Sequence, residues 1–314
     1  MPFFVYSTYI NRRKKQKDEE MLNKLFPLLA ISVMAVSLIG ACQTVPKKTE
    51  AISPEINPKN AEDYNNRGDA YLSKGQFDLA IADFNKAVAI NPMYAKAYAN
   101  RGNAYGDKGQ YDQAIADYNK AIEIDPKYAG TYSNRGTAYR QKGQYDQAIA
   151  DYNRAIEIDP RLASAYYNRG IAYGSKGRYD LAIANYTKAI EIDPRLALAY
   201  ANRGVAYRQK GQYDQAIADY NKAIEIDPKL AKVYSNRGVA YQKKGQYDQA
   251  IADFTKAIEI DPKLALPYFQ RGVTYYLKKE YGKSWLDVKK AQGLGYQIPR
   301  KFLEDLKKAS GRKD

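Results

Sequence analysis

The chain repeats itself every 34 residues. Pro92, Pro126, Pro160, Pro194, Pro228 and Pro262 are each 34 apart, and so are Gly68, Gly102, Gly136, Gly170, Gly204, Gly238 and Gly272. A unit of that length is too small to bury a core alone, so its copies must stack on one another. Within a copy, Tyr98, Gly102 and Tyr105 fall at i, i+4 and i+7, on one face of a first helix. Lys108-Gly109-Gln110 reads as the turn, with glycine as the helix stop. Ala114, Tyr118 and Ala121 mark one face of a second helix, which Asp125-Pro126 ends. The small residues Gly102 and Ala114 let the two helices approach closely. The pattern predicts an all-α chain of seven helical hairpins over residues 61–298.

Composition bears on what such a stack can do. Tyrosine occurs 31 times, against 8 Phe and 1 Trp. The repeat accounts for this, since each copy uses aromatics at four fixed places, as at Tyr98, Tyr105, Tyr111 and Tyr118. Their expected role is core packing rather than base stacking. Histidine is absent and cysteine occurs once. Those counts exclude His-based acid–base catalysis, Cys–His nucleophile pairs, Cys/His zinc sites and internal disulfides. The carboxylates recur identically from copy to copy, as a structural motif does, and no singular constellation stands out. The expectation is no catalytic residue, no metal site and no cofactor.

The aromatic, Gly, Tyr, Ala, aromatic, Ala and Pro positions of the first six copies resemble, residue by residue, those of the tetratricopeptide repeat (TPR) family. That resemblance implies a right-handed superhelical solenoid whose first helices line a concave groove that binds partner peptides or helices.

One departure from the commonest TPR pattern is regular. An Arg precedes each first-helix Gly (Arg67, Arg101, Arg135, Arg169, Arg203, Arg237, Arg271), and sixteen residues later stand Asp83, Asp117, Asp151, Asn185, Asp219, Asp253 and Asp287. The antiparallel hairpin brings these opposite each other, which predicts Arg–Asp pairs within each repeat, weaker at Asn185. Exchanging Arg203 and Asp219 is then expected to restore the stability lost in either single variant. The seventh copy drifts. Ser284 stands for Ala, Val288 for the aromatic and, on this reading, Glu280 for the turn Gly, while Pro299 comes late. Residues 299–314, with Phe302, Leu303 and Leu306 on one face and lysines elsewhere, read as a basic capping helix.

On the side of the first helix away from its own hairpin, one carboxamide recurs: Asn66, Asn100, Asn134, Asn168, Asn202, Asn236 and then Gln270. A carboxamide both donates and accepts, so this ladder is suited to gripping a ligand backbone; it is equally suited to bonding the adjacent helix. Three residues further on, Asp69, Asn103 and Thr137 give way to Ile171, Val205, Val239 and Val273. Tyr167, Leu198, Leu266, Phe269 and Tyr276 add to this apolar half, which predicts a partly hydrophobic partner on copies four to seven, unless the C-terminal helix covers part of it. The dicarboxylate clamp of chaperone-binding TPR domains needs a Lys before one Asn. Here Asn65, Ala99, Ser133, Tyr167, Ala201, Ser235 and Phe269 stand there, so no chaperone tail is expected.

The front of the chain is of another kind. A basic run, Asn11 to Lys17, precedes 17 uncharged residues from Leu25 to Ala41. These end Leu38-Ile39-Gly40-Ala41-Cys42, with Cys42 the chain's only cysteine. This resembles the lipobox of bacterial lipoproteins and implies a signal peptide over 1–41 and lipidation of Cys42; an uncleaved anchor helix is the alternative. Met21-Leu-Asn-Lys24 is a compact basic start, so 1–20 are expected to be a mis-assigned beginning. Gln43 rather than Asp after the cysteine implies the outer membrane, periplasmic face. Residues 42–60 carry Pro46, Pro54 and Pro58 and read as a tether able to reach roughly 50 Å.

The net charge is +15. Residues 61–264 hold 29 basic and 25 acidic side chains, and residues 265–314 hold 12 and 5, so the excess gathers at the C-terminal end. The leading expectation is a non-enzymatic interaction scaffold of the bacterial envelope, bound to proteins through the groove and to the membrane through lipid. Its clients would be peptidoglycan enzymes, or pilus or secretin assembly factors. No nucleic-acid partner is expected. The alternative is an anion-binding envelope protein acting through Lys289, Lys290, Arg300 and Lys301.

Overall fold

The computed structural model describes residues 58–312. The signal segment, Cys42 and most of the tether lie outside the described residues. Among those described there are fifteen helices and no strand. They fall into two compact units, residues 58–193 and 194–312. The first holds four hairpins: α1 (Ala61–Ser73) with α2 (Phe77–Ile90), α3 (Ala95–Asp107) with α4 (Tyr111–Ile124), α5 (Ala129–Gln141) with α6 (Tyr145–Ile158), and α7 (Ala163–Ser175) with α8 (Tyr179–Ile192). The second holds α9 (Ala197–Gln209) with α10 (Tyr213–Ile226), α11 (Ala231–Lys243) with α12 (Tyr247–Ile260), and α13 (Ala265–Leu277) with α14 (Tyr281–Gly293). A last helix, α15 (Arg300–Ser310), follows. Within each unit every helix packs on the next in sequence, the arrangement of a TPR solenoid.

Each hairpin begins and ends for local reasons. Asn60 caps α1, its Oδ1 accepting the Asp63 N–H at 2.9 Å. Five of the second helices stop where an Asp precedes Pro, and α2 stops at Asn91-Pro92; Asp125 Oδ1 accepts the Lys127 N–H at 3.0 Å, and Asp227 does the same for Lys229. Between the paired helices the turn glycine takes a left-handed backbone, as Gly109 does at φ 76°. In the seventh hairpin the left-handed residue is Lys279, at φ 64°. This corrects the sequence reading, which put Glu280 in that place: the register is one residue earlier, and Glu280 instead precedes α14. A side chain in this conformation costs about 1 kcal/mol. Lys279→Gly is therefore expected to stabilise the second unit by about 0.5–1 kcal/mol, less than the full strain because glycine loosens the unfolded chain. An unchanged or lower thermal midpoint would count against it.

The first-helix glycine makes room for the second-helix aromatic. A Cβ on Gly204 would lie 2.7 Å from Cε1 of the fully buried Tyr220. In the seventh hairpin, where Val288 replaces the ring, a Cβ on Gly272 would approach nothing closer than 3.3 Å. Gly204→Ala is expected to cost about 1–3 kcal/mol and Gly272→Ala distinctly less. Equal shifts of the two denaturation midpoints would contradict this account.

The expected Arg–Asp pairs are present. Arg237 Nε and Nη2 donate to Asp253 at 2.8 and 2.7 Å, and the same two-pronged contact joins Arg67 to Asp83, Arg101 to Asp117, Arg135 to Asp151, Arg203 to Asp219 and Arg271 to Asp287. The hydrogen bond that Arg203 donates to Asp219 raises the arginine's pKa. Within its own hairpin Arg169 has a single bond, to Asn185 Oδ1 at 2.7 Å, and burial lowers its pKa.

Two further contacts of this arginine were not read from the sequence. Its Nη1 reaches back to the preceding hairpin, as Arg101 does to Asn85 and Arg237 to Asn221. Its guanidinium also covers the ring three residues earlier, as Arg237 covers Tyr234 at 5.5 Å. The arginine thus joins both helices of its own hairpin to the hairpin before it. A second, exposed link recurs between the turn Lys and the hairpin before, as in Lys244–Asp214 and Lys278–Asp248. Exposed pairs of this kind add little stability.

Candidate interaction surface

The side of each first helix that carries the recurring Asn is partly used by the stack itself. Asn100 Nδ2 donates to Asn65 Oδ1 at 3.1 Å, and Asn134 Nδ2 donates to Asn103 Oδ1 at 2.9 Å. In these two copies the amide end holds the neighbouring helix, while the carbonyl end makes no hydrogen bond among the described residues. Asn66, Asn168 and Asn202 are half-buried. Asn236 and Gln270 are buried, at 8% and 2% exposure, so neither stands on an open surface.

The position three residues on proves to face the hairpin core. Asn103 Oδ1 accepts the Tyr118 hydroxyl at 2.8 Å, and Thr137 Oγ1 lies 3.2 Å from that of Tyr152. Where Val205 replaces such a residue, the Tyr220 hydroxyl is left without a partner, and burial pushes its pKa up to about 12. Val205 is 7% exposed and Val273 fully buried. The expectation that these valines line an exposed apolar groove therefore fails: they are apolar because they are core. Ile171 and Val239 are half-buried, and Asp69 is exposed.

The seventh hairpin is closed by the last helix. Phe302 and Leu306 of α15 are buried in one cluster with Phe269, Val273, Trp285 and Val288, and Tyr276 and Leu266 pack against it. Phe302 meets Phe269 and Tyr276 edge-on, at centroid distances of 5.5 and 5.4 Å. The apolar side chains predicted to receive a partner here receive the chain's own C-terminal helix.

In the first unit Asn66, Asn100, Asn134 and Asn168 are half-buried, and Arg140, on the same helix as Asn134, lies beside the Tyr152 hydroxyl. Arg140 is half-buried, its Nε has no hydrogen-bond partner, and it makes no ion pair among the described residues. Arg208, two copies on, likewise lacks a partner for its buried Nε and Nη2. Sequence reading passed over both. The signal was there, because the same register holds Gly106, Gly174 and Gln242 in neighbouring copies. A guanidinium without a counterion offers a two-pronged site for a carboxylate. Among the described residues no helix is long and apolar enough to cross a membrane.

Comparison with known proteins agrees with this architecture. Three family models match in an interleaved series: a TPR repeat model at residues 68–109, 136–177 and 206–245, and two tetratricopeptide repeat models at 95–128, 163–196 and 231–264 and at 117–150 and 185–218. No curated protein matches the chain. Among solved structures, a tetratricopeptide repeat protein from Parabacteroides merdae is 24% identical with a TM-score of 0.59, over 80% of this chain and 99% of that one. The Pseudomonas aeruginosa pilF protein is 17% identical with a TM-score of 0.60, over 66% and 94%. A chain of the APC/C hetero-tetramer Cut9–Hcn1 is 21% identical with a TM-score of 0.62, over 69% of this chain; this chain spans only 43% of that one. At these identities the likeness concerns the fold.

Proposed function

This chain belongs to the tetratricopeptide-repeat proteins, its repeats running unbroken through residues 68–264, and on that premise we propose that it is a non-enzymatic scaffold of the bacterial cell envelope. It takes an extended, carboxylate-bearing segment of a partner protein on the first-helix face of the unit 58–193. The observation that carries this reading is Arg140, a half-buried guanidinium without an ion-pair partner among the described residues, on the same helix as Asn134. A peptide laid there offers backbone amides to the Asn carbonyls and an acidic group to the arginine. Small exposed contacts of this kind give modest affinity per repeat, which suits an adaptor. Wall enzymes and pilus or secretin assembly factors are the partner classes in view.

In-cell crosslinking tests the surface. Arg140→Glu combined with Asn168→Ala is expected to lose partners that the unaltered protein captures, with helix content unchanged by circular dichroism. Undiminished capture would remove this face from consideration. Lipid attachment is a separate part of the proposal. It rests on the apolar stretch ending at Cys42, with the mature chain held on the periplasmic face of the outer membrane. Mass spectrometry of the native protein is expected to show a diacylated N-terminal Cys42; a peptide containing Pro2–Arg12 would overturn the start at Met21.

A further inference from the structure

We infer that the outward face of α14 docks on an anionic lipid bilayer, with Leu286 entering the headgroup region between Lys289 and Lys290. In the earlier hairpins the corresponding face is occupied by the next hairpin or balanced in charge. On α10, Asp214 pairs with Lys244, Asn221 accepts from Arg237, and Lys222 pairs with Glu225. Among the described residues no hairpin follows α14, and its residues at those places differ in a consistent direction. Gly282 stands for Asp214 and Gly293 for Glu225, so both acids are gone, while Lys289 stands for Asn221 and Lys290 for Lys222. Lys289 and Lys290 are exposed and have no carboxylate in ion-pair range among the described residues.

A basic end that served only solubility would carry no large apolar group. Yet the register that holds Ala in all six earlier copies, as at Ala218 and Ala252, holds Leu286 here, and it is 71% exposed. Beside it, Trp285 donates its Nε1 to Ser310 at 3.1 Å, and Arg312 lies over its ring at 5.5 Å. Lysines flanking an exposed leucine on one helix face match a surface that is anionic outside and apolar just beneath. A soluble polyanion would use the lysines and leave Leu286 idle. The inference does not depend on the lipid anchor or on the peptide-binding face.

Trp285 is the chain's single tryptophan, which makes the test direct. The full chain is mixed with vesicles of brominated phosphatidylcholine, with or without phosphatidylglycerol, and quenching of Trp285 is followed. Quenching is expected only with the anionic lipid, and it should be lost at high salt. Lys289→Gln with Lys290→Gln should weaken docking roughly 25- to 30-fold, and Leu286→Asn alone about tenfold. All three residues are exposed, so the variants should fold normally. Equal quenching in neutral vesicles, or none in either, overturns the inference. So does salt-sensitive binding that the lysine changes abolish and Leu286→Asn leaves intact, which would assign the face to a soluble polyanion instead.

Discussion

Phe302→Ala is expected to destabilise the last hairpin by about 3–5 kcal/mol, the cost of emptying a large buried aromatic site. Phe302 is 1% exposed and closes the surface formed by Phe269, Val273 and Tyr276. Phe269 is in turn stacked on Tyr296, at a centroid distance of 4.9 Å, in the segment that leads into α15. Without the ring, α15 keeps only Leu306 and the half-buried Leu303 as apolar anchors and loses most of its hold. Repeat stability is approximately a sum over units and their neighbours, so the loss should stay local. Hydrogen exchange is expected to quicken across α13, α14 and α15 and to leave the amides of residues 58–193 unchanged. Uniform acceleration through every hairpin would instead show that the chain opens as one block. The same contacts mean that Val273→Asp disables folding of this region rather than probing a partner.

That result bears on what could be read from the sequence. Hairpins, turns and Arg–Asp pairs were legible because each depends on spacings inside one copy, and the period repeats the message seven times. Contacts between copies were harder to see. The Asn85, Asn119, Asn153, Asn221 series is as regular as the aspartates, but its partner lies in the following hairpin, which a single-copy pattern does not reveal. The valines were misjudged for a related reason. Residue identity reports that Val205 and Val273 are apolar; whether something covers them depends on side-chain packing and on α15 returning across α13. Arg140 is hard to read from a repeat because the pattern highlights positions that stay constant, whereas a binding site departs from them. Leu286 shows the same principle at the chain's end, where the stack no longer dictates the residue.

Exchanging Arg237 and Asp253 is expected not to restore stability fully, which revises the rescue that spacing alone predicts for the equivalent Arg203–Asp219 exchange. Asp253→Ala should cost about 2–3 kcal/mol, because it leaves a largely shielded guanidinium without its carboxylate. The pair's side chains are only 18% and 8% exposed. Arg237→Asp loses more than the pair, since it also removes the Nη1 bond to Asn221 at 2.6 Å and the cover over Tyr234 and Tyr241. Placed at 253 on α12, an arginine would start from the helix that now presents the acceptor, and nothing shows it reaching Asn221 or those rings. The double exchange should therefore recover part of the loss at most, leaving a deficit of about 1–2 kcal/mol. Full recovery in a double-mutant cycle would reduce the arginine to one partner and undo the view that it joins neighbouring hairpins. Copy four supplies the complementary case. Asn185 offers Arg169 a single bond and turns its amide to the Leu181 carbonyl at 2.8 Å. Asn185→Asp is expected to add the second prong and gain about 1 kcal/mol at neutral pH, an increase that should vanish in acid once the new carboxylate is protonated.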